Sequence, residues 1–261
     1  MQERIRASTM LIAGCGIGSS PAVCAARLGF ENFILVDGDT VDAHNLNRQF
    51  YDFADIGRSK VEALKEKILR INPGAKVDAI CEYIDQDNTD QLVSRSSIVF
   101  DTIDFLDLGA ILELHTSARR NKVHIFTALS VGFGALVWSF PPSAAISLVD
   151  ILAPDLSSFA AKGRDAPSYA EVFALFVKRI APHLDEEVVV QIERVLALMK
   201  EGKPCPAPQV AVGSFAIGAM ATSMMHDLLT GTLPADEPQL IIHSFKSHRS
   251  TRLAMADLIS R

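Results

Sequence analysis

Residues suited to binding a nucleotide are concentrated between positions 10 and 60 of the 261-residue chain. A short apolar run leads directly into Gly14, Gly16 and Gly18, and a helical stretch follows them. Glycines at this spacing permit a tight turn and let a phosphate approach the backbone N–H groups at the start of the helix. A second apolar run ends in Asp37, about 20 residues further on, where a carboxylate can accept hydrogen bonds from ribose hydroxyls. The order of these features predicts a nucleotide site.

Charged side chains that suit a triphosphate follow this second run. Arg48 stands in the sequence Asn-Leu-Asn-Arg-Gln, which begins at Asn45, and Lys60 ends the sequence Gly-Arg-Ser-Lys. An arginine forks onto phosphate oxygens, and a lysine supplies a compact positive charge. A dehydrogenase has no general need for either residue here, so the pair favours ATP. Asp104 closes a third apolar segment, where an acid at the carboxyl end of a parallel strand points into the ligand crevice.

Strands that alternate with helices must position these residues. The alternation predicts an α/β fold with a doubly wound, mostly parallel, Rossmann-like sheet and a helical insertion. We expect a nucleotide-binding part at residues 1–143 and a helical insertion on the substrate side at residues 144–208. A C-terminal helix and strand at residues 209–261 are expected to complete the same domain. Within the insertion, residues 169–180 and 186–199 have the apolar periodicity of amphipathic helices.

Three further segments carry weaker signals. Residues 4–8 are predicted to be a polar lead-in, and residues from 251 onward are predicted to be a tail. Residues 210–229 are rich in small side chains and predict a helix that is either broken or tightly packed at Gly213 and Gly218.

The stretch from residue 10 to residue 104 resembles the ubiquitin-activating-enzyme superfamily, and in particular its bacterial ThiF/MoeB branch. The matching residues are Gly14, Gly16, Gly18, Asp37, Asp39, Asn45, Arg48, Gln49, Lys60, the pair Asn72 and Pro73, and Asp101 and Asp104. Several motifs in order and at the family's spacing make this resemblance far more specific than the glycine loop alone. It implies an ATP-dependent adenylyltransferase that activates a carboxylate as an acyl-adenylate.

The resemblance also implies a role for each residue of the site. Asp37 would hold the ribose, and ATP binding would further involve Gly14, Gly16, Gly18, Asp39, Arg48 and Lys60. Asp104 would hold Mg²⁺ at the phosphates, and the catalytic set would be Arg48, Lys60, Asp104 and Asn45. The family usually has asparagine directly after the magnesium-binding acid, whereas this chain has Phe105.

The expected partners follow from the same resemblance. The chain is expected to form a homodimer and to act on the C-terminus of a small ubiquitin-like sulfur carrier, on a peptide or on a small-molecule acid. Relatives commonly reach an N-terminal arginine into the neighbouring ATP site. Here either Arg4 or Arg6 takes that role, or the function is absent, or the arginine precedes the given sequence. Two alternatives stay open: a catalytically silent, nucleotide-binding partner subunit, and an NAD-dependent oxidoreductase, which the glycine loop alone would permit.

Composition argues against several other classes. A net charge of −6 and a pI near 5.6 disfavour a nucleic-acid partner. No run approaches the length of about 18 apolar residues that a membrane span needs, so no membrane partner is expected. The four cysteines form no CxxC pair, which fits a reducing cytosol, argues against a cysteine zinc site and leads us to expect a cytoplasmic protein. Cys205 stands between two prolines, as either a reactive thiol or a spectator.

Overall fold

A computed structural model describes residues 1–104, 107–148, 151, 169–201, 209–234 and 236–254. The strands are β1 (Thr9–Ala13), β2 (Asn32–Val36), β3 (Lys76–Ile80), β4 (Ile98–Asp101), β5 (His124–Ser130), β6 (Gly134–Phe140), β7 (Gln239–Ser244) and β8 (Arg249–Ala254). The helices are α1 (Gln2–Ala7), α2 (Ser19–Leu28), α3 (Lys60–Ile71), α4 (Thr89–Ser94), α5 (Leu108–Arg120), α6 (Tyr169–Ile180), α7 (Glu186–Lys200) and α8 (Ala211–Thr230).

The strands form one sheet in the order β3-β2-β1-β4-β5-β6-β7-β8. The pairs from β3 to β5 are parallel, and the three pairs from β5 to β8 are antiparallel. Sequence order reverses between β1 and β4, so the crevice for a ligand opens there, at the carboxyl ends of the strands. The predicted α/β, doubly wound and mostly parallel sheet is therefore confirmed. The division at residues 143 and 208 stays a prediction, although β7 and β8 belong to the same sheet as the N-terminal strands.

Helices cover both faces of the sheet. Side chains of β1 alternate between the faces, with Leu11 in one apolar cluster and Met10 in the other. The Leu11 cluster includes α4, α5, α6 and α7, and the Met10 cluster includes α1, α2, α3 and α8. Because both faces are buried, the central strands consist of continuous apolar runs.

Two predictions about the chain ends were wrong. Residues 251–254 belong to β8, not to a tail. The sequence pattern of a strand is weak here because β8 is a largely exposed edge strand with arginines at positions 249 and 252. Charged side chains are typical of protected sheet edges. The polar lead-in forms α1, which buries Ile5.

The long helix α8 is continuous across both of its predicted weak points. A side chain at Gly213 would overlap Ser130, and one at Gly218 would overlap Ser20 of α2. These glycines therefore permit close packing of α8 and do not break it. None of the described helices is both long and apolar enough to span a bilayer.

Candidate active site

The carboxyl ends of the parallel strands open into a cavity of about 770 Å³. Eight of the residues predicted for the site line this cavity: Gly14, Gly16, Asp37, Asp39, Asn45, Arg48, Lys60 and Asp104. Gly18 does not line it and lies close to the backbone oxygen of Gly14. The structure thus brings together side chains that come from three strand ends and two connecting loops.

The glycine loop between β1 and α2 is held against the exit of β4. Gly14 has a φ of +88°, and a Cβ there would lie 2.5 Å from the backbone oxygen of Thr102. A Cβ at Gly18 would overlap the backbone oxygen of Gly14. The hydroxyl of Thr102 donates to that same oxygen at 2.6 Å. Glycine is required at both positions, and the loop places the positive end of the α2 dipole beside the cavity.

Asp37 is fixed by two backbone donors at the end of β2. Its Oδ2 accepts from the N–H of Cys15 at 2.7 Å, and its Oδ1 accepts from the N–H of Asp39 at 2.8 Å. The residue is 8% exposed. Each carboxylate oxygen retains acceptor capacity, so Asp37 can bind hydroxyl groups of a ligand without moving.

Lys60 is buried and paired with acids. Its Nζ donates to Asp39 Oδ2 at 2.6 Å and lies 3.9 Å from Asp37 Oδ2. Burial acts to raise the pKa of Asp39, but hydrogen bonds from Lys60 and Tyr83 outweigh it and hold that pKa below its ordinary value. An ammonium group has three donors, so Lys60 can keep its bond to Asp39 and still reach a phosphate oxygen.

Arg48 faces the same cavity from the loop after β2. Its Nε donates to Gln209 Oε1 at 2.6 Å, and its Nη1 donates to the backbone oxygen of His44 at 2.8 Å. Burial lowers the pKa of Arg48, while the charge of Asp104 acts to raise it. A guanidinium and an exposed carboxylate therefore lie within electrostatic reach of each other at the cavity.

Asn45 shapes the turn that carries Arg48. Its Oδ1 accepts from the N–H of Asp42 at 3.0 Å, and its backbone oxygen accepts from the N–H of Arg48 at 3.1 Å. A catalytic role for Asn45 stays a prediction. Gln49, the next residue along, is 9% exposed, and its buried Oε1 has no hydrogen-bond partner within the described part of the chain.

Asp101 differs from Asp104 although both close the same segment. Its Oδ2 lies 3.1 Å from His115 Nε2 and accepts from the Thr127 hydroxyl at 3.1 Å. The residue is 1% exposed. Its contacts therefore tie β4 to α5 and β5.

Oxygen donors for Mg²⁺ are present at the cavity. Asp104 offers an exposed carboxylate there. No three His, Cys, Asp or Glu side chains among the residues that the structure describes are grouped closely enough to hold a metal ion by themselves. Mg²⁺ is commonly held by one or two carboxylates together with phosphate oxygens, so this donor set fits a magnesium ion that arrives with ATP.

Three residues of the site were not anticipated from the sequence. Tyr51 donates to the backbone oxygen of Cys15 at 2.7 Å and so ties the glycine loop to the loop after β2. Tyr83 donates to Asp39 Oδ1 at 2.6 Å, and Gln209 binds Arg48 from 161 residues away. Tyr83 follows β3 as Asp37 follows β2, which is a usable signal, whereas nothing in the local sequence marks Gln209.

Three other basic side chains lie outside the cavity, and it stays a prediction that Arg4 or Arg6 reaches a neighbouring subunit. Arg58 pairs with Glu66 outside the cavity, and Arg6 pairs with Glu31 near the amino ends of the strands. Arg4 donates to the backbone oxygen of Leu229. Cys205 and Phe105 lie outside the described residues.

The remainder of the cavity is apolar and is walled by the helices of the predicted insertion. Lining side chains come from α6, from α7, from the segment after β4, and from the end of β5 and the residue after it: Ile103, Leu129, Val131, Phe176, Val177, Ile180, Val188, Ile192 and Val195. We call this set the apolar chamber. It adjoins the polar part of the cavity at Ile103, which directly precedes Asp104.

Comparison with known proteins identifies the family. A sequence model of the ThiF family matches residues 1–254. The chain belongs to the ThiF family. It is similar to a probable molybdopterin-synthase adenylyltransferase of Porphyra purpurea, with 33% identity over 130 residues that make up 49% of this chain and 34% of that protein. It is also similar to the tRNA threonylcarbamoyladenosine dehydratase of Escherichia coli strain K12, with 35% identity over 119 residues, 45% of this chain and 44% of that one.

The ThiF-family chain thus matches less than half the length of each of these relatives. Solved structures match a larger share of this chain. The crystal structure of selenomethionine PaaA covers 97% of this chain and 75% of its own, with a TM-score of 0.69 and 20% identity. The structure of E. coli MccB with ATP covers 97% and 66%, with a TM-score of 0.69 and 18% identity. At such identities these likenesses show the shared fold.

Proposed function

We propose that this ThiF-family chain is an ATP-dependent adenylyltransferase that activates a carboxylate. The observation that carries the proposal is the convergence of the glycine loop, Asp37, Lys60, Arg48 and Asp104 on one cavity. A dinucleotide site needs only the glycine loop and Asp37. The buried Lys60 and the half-buried Arg48, together with the carboxylate of Asp104, suit a triphosphate. The similarity to a probable molybdopterin-synthase adenylyltransferase supports the same assignment.

In the proposed reaction a carboxylate oxygen attacks the α-phosphorus of ATP. A new phosphorus–oxygen bond forms, the bond from the α-phosphorus to the bridging oxygen breaks, and pyrophosphate leaves with the electron pair. The products are an acyl-adenylate and pyrophosphate. Such a transfer needs positioning and charge neutralisation more than it needs a protein nucleophile.

Each contact observed in the site has a place in this reaction. The two fixed oxygens of Asp37 would accept from the ribose hydroxyls, and Asp39 would keep Lys60 directed at the phosphates. Arg48 would neutralise charge that develops on the α-phosphate or on pyrophosphate. Asn45 would act by holding the turn from which Arg48 projects. Asp104 would hold Mg²⁺, which neutralises phosphate charge when it is bound.

The source of the carboxylate and the assembly are parts of the same proposal. The acid is the C-terminus of a ubiquitin-like sulfur carrier, a peptide or a small molecule. We also propose a homodimer, supported by Phe215 of α8, which is 62% exposed and packs on Phe50. Sedimentation of the wild type beside Phe215→Glu tests this point, and a monomeric wild type contradicts it.

ATP–pyrophosphate exchange in the presence of a panel of carboxylic acids tests the activity. We expect exchange with at least one acid, and a loss of about 100-fold or more in Lys60→Ala. Lys67→Ala is the matched control, because Lys67 pairs with Asp52 outside the cavity, and it should keep wild-type exchange. Tight ATP binding without exchange for any acid would contradict the proposal and favour the silent partner subunit.

A further inference from the structure

We infer that the acid activated by this chain carries an apolar group next to its carboxyl group, and that this group occupies the apolar chamber. The inference rests on the proposed function and goes beyond it by naming the substrate class. The shared chemistry is a branched aliphatic or aromatic monocarboxylate, supplied either as a free acid or as the C-terminal residue of a peptide.

The shape of the wall is the first reason. Val188, Ile192 and Val195 recur at positions i, i+4 and i+7 of α7, so they lie on one face of the helix, and that face lines the cavity. The other side of α7 is exposed, as at Val190, which is 53% exposed. The apolar stripe of an amphipathic helix is normally covered by the core. Here part of the stripe faces a space that a ligand can enter.

Incomplete burial is the second reason. Ile103, Leu129, Val131 and Ile192 are half-buried, and each packs against the apolar core with one side while it lines the cavity with another. An apolar ligand would remove the rest of their surface from water, which is favourable in proportion to the area covered. A substrate that ends in glycine would offer little apolar surface for the same purpose.

Charge is the third reason. Of the described side chains that line the cavity from α6, α7, the β7–β8 turn and the residue just before α5, the charged ones are Glu187, Lys246 and Asp107. Glu187 and Lys246 form an ion pair with each other, and Asp107 accepts from the N–H of Ala110 at the start of α5. Gln191 adds one neutral polar group. A charged or strongly polar substrate body would therefore lose hydration in the chamber without gaining an opposite charge.

The position of the chamber gives the substrate an orientation. Ile103 adjoins Asp104, and the cavity also contains Arg48, so an acid whose apolar group lies in the chamber can present its carboxylate beside the phosphates. The chamber thus selects the acid, and the nucleotide-facing residues carry out the transfer.

Isosteric substrates test the inference. The first set of substrates is N-acetyl-leucine and N-acetyl-asparagine, whose side chains have similar shapes but are apolar and polar respectively. The second set, Gly-Gly-Leu, Gly-Gly-Asn and Gly-Gly-Gly, repeats the comparison at a peptide C-terminus. In ATP–pyrophosphate exchange, the kcat/KM of the leucine substrate should exceed that of the asparagine substrate by about tenfold or more in at least one of the two sets. The set that shows the effect identifies the free acid or the peptide as the source. Equal rates, or a preference for asparagine or glycine, would overturn the inference while leaving adenylation intact.

Variants of α7 locate the effect. Ile192→Asn should lower kcat/KM for the leucine substrate by about tenfold and reduce the leucine preference, whereas Val190→Asn on the exposed side should leave both unchanged. Retained ATP binding in Ile192→Asn shows that the variant is folded. An unchanged leucine preference in that folded variant would overturn the assignment to the chamber.

Direct binding separates this inference from the proposed function. Calorimetry with the chain saturated by a non-hydrolysable ATP analogue measures acid binding without catalysis. Tighter binding of the leucine than of the asparagine compound, without any exchange, would support the chamber and contradict adenylation. Equal binding of the two would overturn the chamber whatever the exchange assay shows.

Discussion

The two parts of the cavity are built by different forces. In the polar part, which we propose binds the nucleotide, hydrogen bonds and ion pairs fix Asp37, Asp39 and Lys60. In the apolar chamber, the wall is held by packing, as where Val188 of α7 covers Gly132. Directional bonds fix positions closely, whereas apolar packing constrains mainly volume and shape. The first part therefore suits a constant ligand, and the second suits a substrate that can differ between members of one fold.

Of the substitutions that test this difference between the two parts of the cavity, Arg48→Ala is expected to have the largest effect. Arg48→Ala should lower kcat for exchange by about 100- to 1000-fold, since it removes one charge that neutralises the transferring phosphate. Stopped-flow or steady-state exchange measures it. Arg58→Ala is the matched control, because Arg58 pairs with Glu66 and Asp55 away from the cavity. Equal losses in the two variants would mean that general surface charge, and not the site, controls the rate.

A second prediction concerns the backbone of the glycine loop. Gly14 and Gly57 have similar φ values, +88° and +82°, but a Cβ at Gly14 would meet Thr102 while one at Gly57 would meet nothing within 4 Å. Gly57→Ala should cost about 1–2 kcal/mol of unfolding free energy from backbone strain alone. Gly14→Ala should cost about 3 kcal/mol and abolish ATP binding.

Urea unfolding of the two glycine variants gives both numbers, with ATP calorimetry on the folded fraction. A Gly14→Ala protein as stable as Gly57→Ala, with normal ATP affinity, would show that the loop is not clamped to the end of β4.

A third prediction concerns the stability of the fold at acid pH. His124 lies at the amino end of β5, away from the cavity, with its Nε2 2.7 Å from the Ser139 hydroxyl. Burial lowers the pKa of His124 from 6.5 to about 4. The unfolded chain therefore takes up a proton first as pH falls, so this contribution to stability is complete above pH 6.5 and is lost progressively towards pH 4.

The expected loss from His124 is about 2 kcal/mol between neutral pH and pH ~5. Urea unfolding of the wild type and of His124→Gln across this range measures it, and the variant should lose less stability by that amount. Parallel curves for the two proteins would rule His124 out as the cause of acid destabilisation.

The smallest effect on ATP binding is expected from Tyr83, an exposed residue that lines the cavity. Tyr83→Phe removes the hydroxyl that donates to Asp39 and should weaken ATP binding about two- to fivefold by calorimetry, with little change in stability. Tyr51→Phe provides the contrast, because its hydroxyl is buried against Cys15, so stability should fall as well. The comparison fails if the exposed Tyr83 variant is the less stable of the two.

The same contrast explains what could be predicted from the sequence. Gly14 and Asp37 belong to one βαβ unit, so local spacing was enough to predict that they lie together. Lys60 lies further along the chain, at the start of α3, and was assigned to the site from its suitability for a triphosphate and from the family resemblance. The partner of Arg48 could not be predicted in this way, because Gln209 is 161 residues distant and becomes a neighbour only through the packing of α8. The periodicity of α7 predicted an amphipathic helix, but it could not indicate that Ile192 faces a cavity.

Calorimetric titration with ATP·Mg²⁺, in parallel with NAD, on the wild type and on Asp37→Ala tests the central claim most directly. The account predicts that ATP binds, that NAD binds weakly or not at all, and that Asp37→Ala loses ATP binding while it remains folded. Tight binding of NAD in preference to ATP would contradict the claim and leave the chain with the fold of its family but without the proposed chemistry.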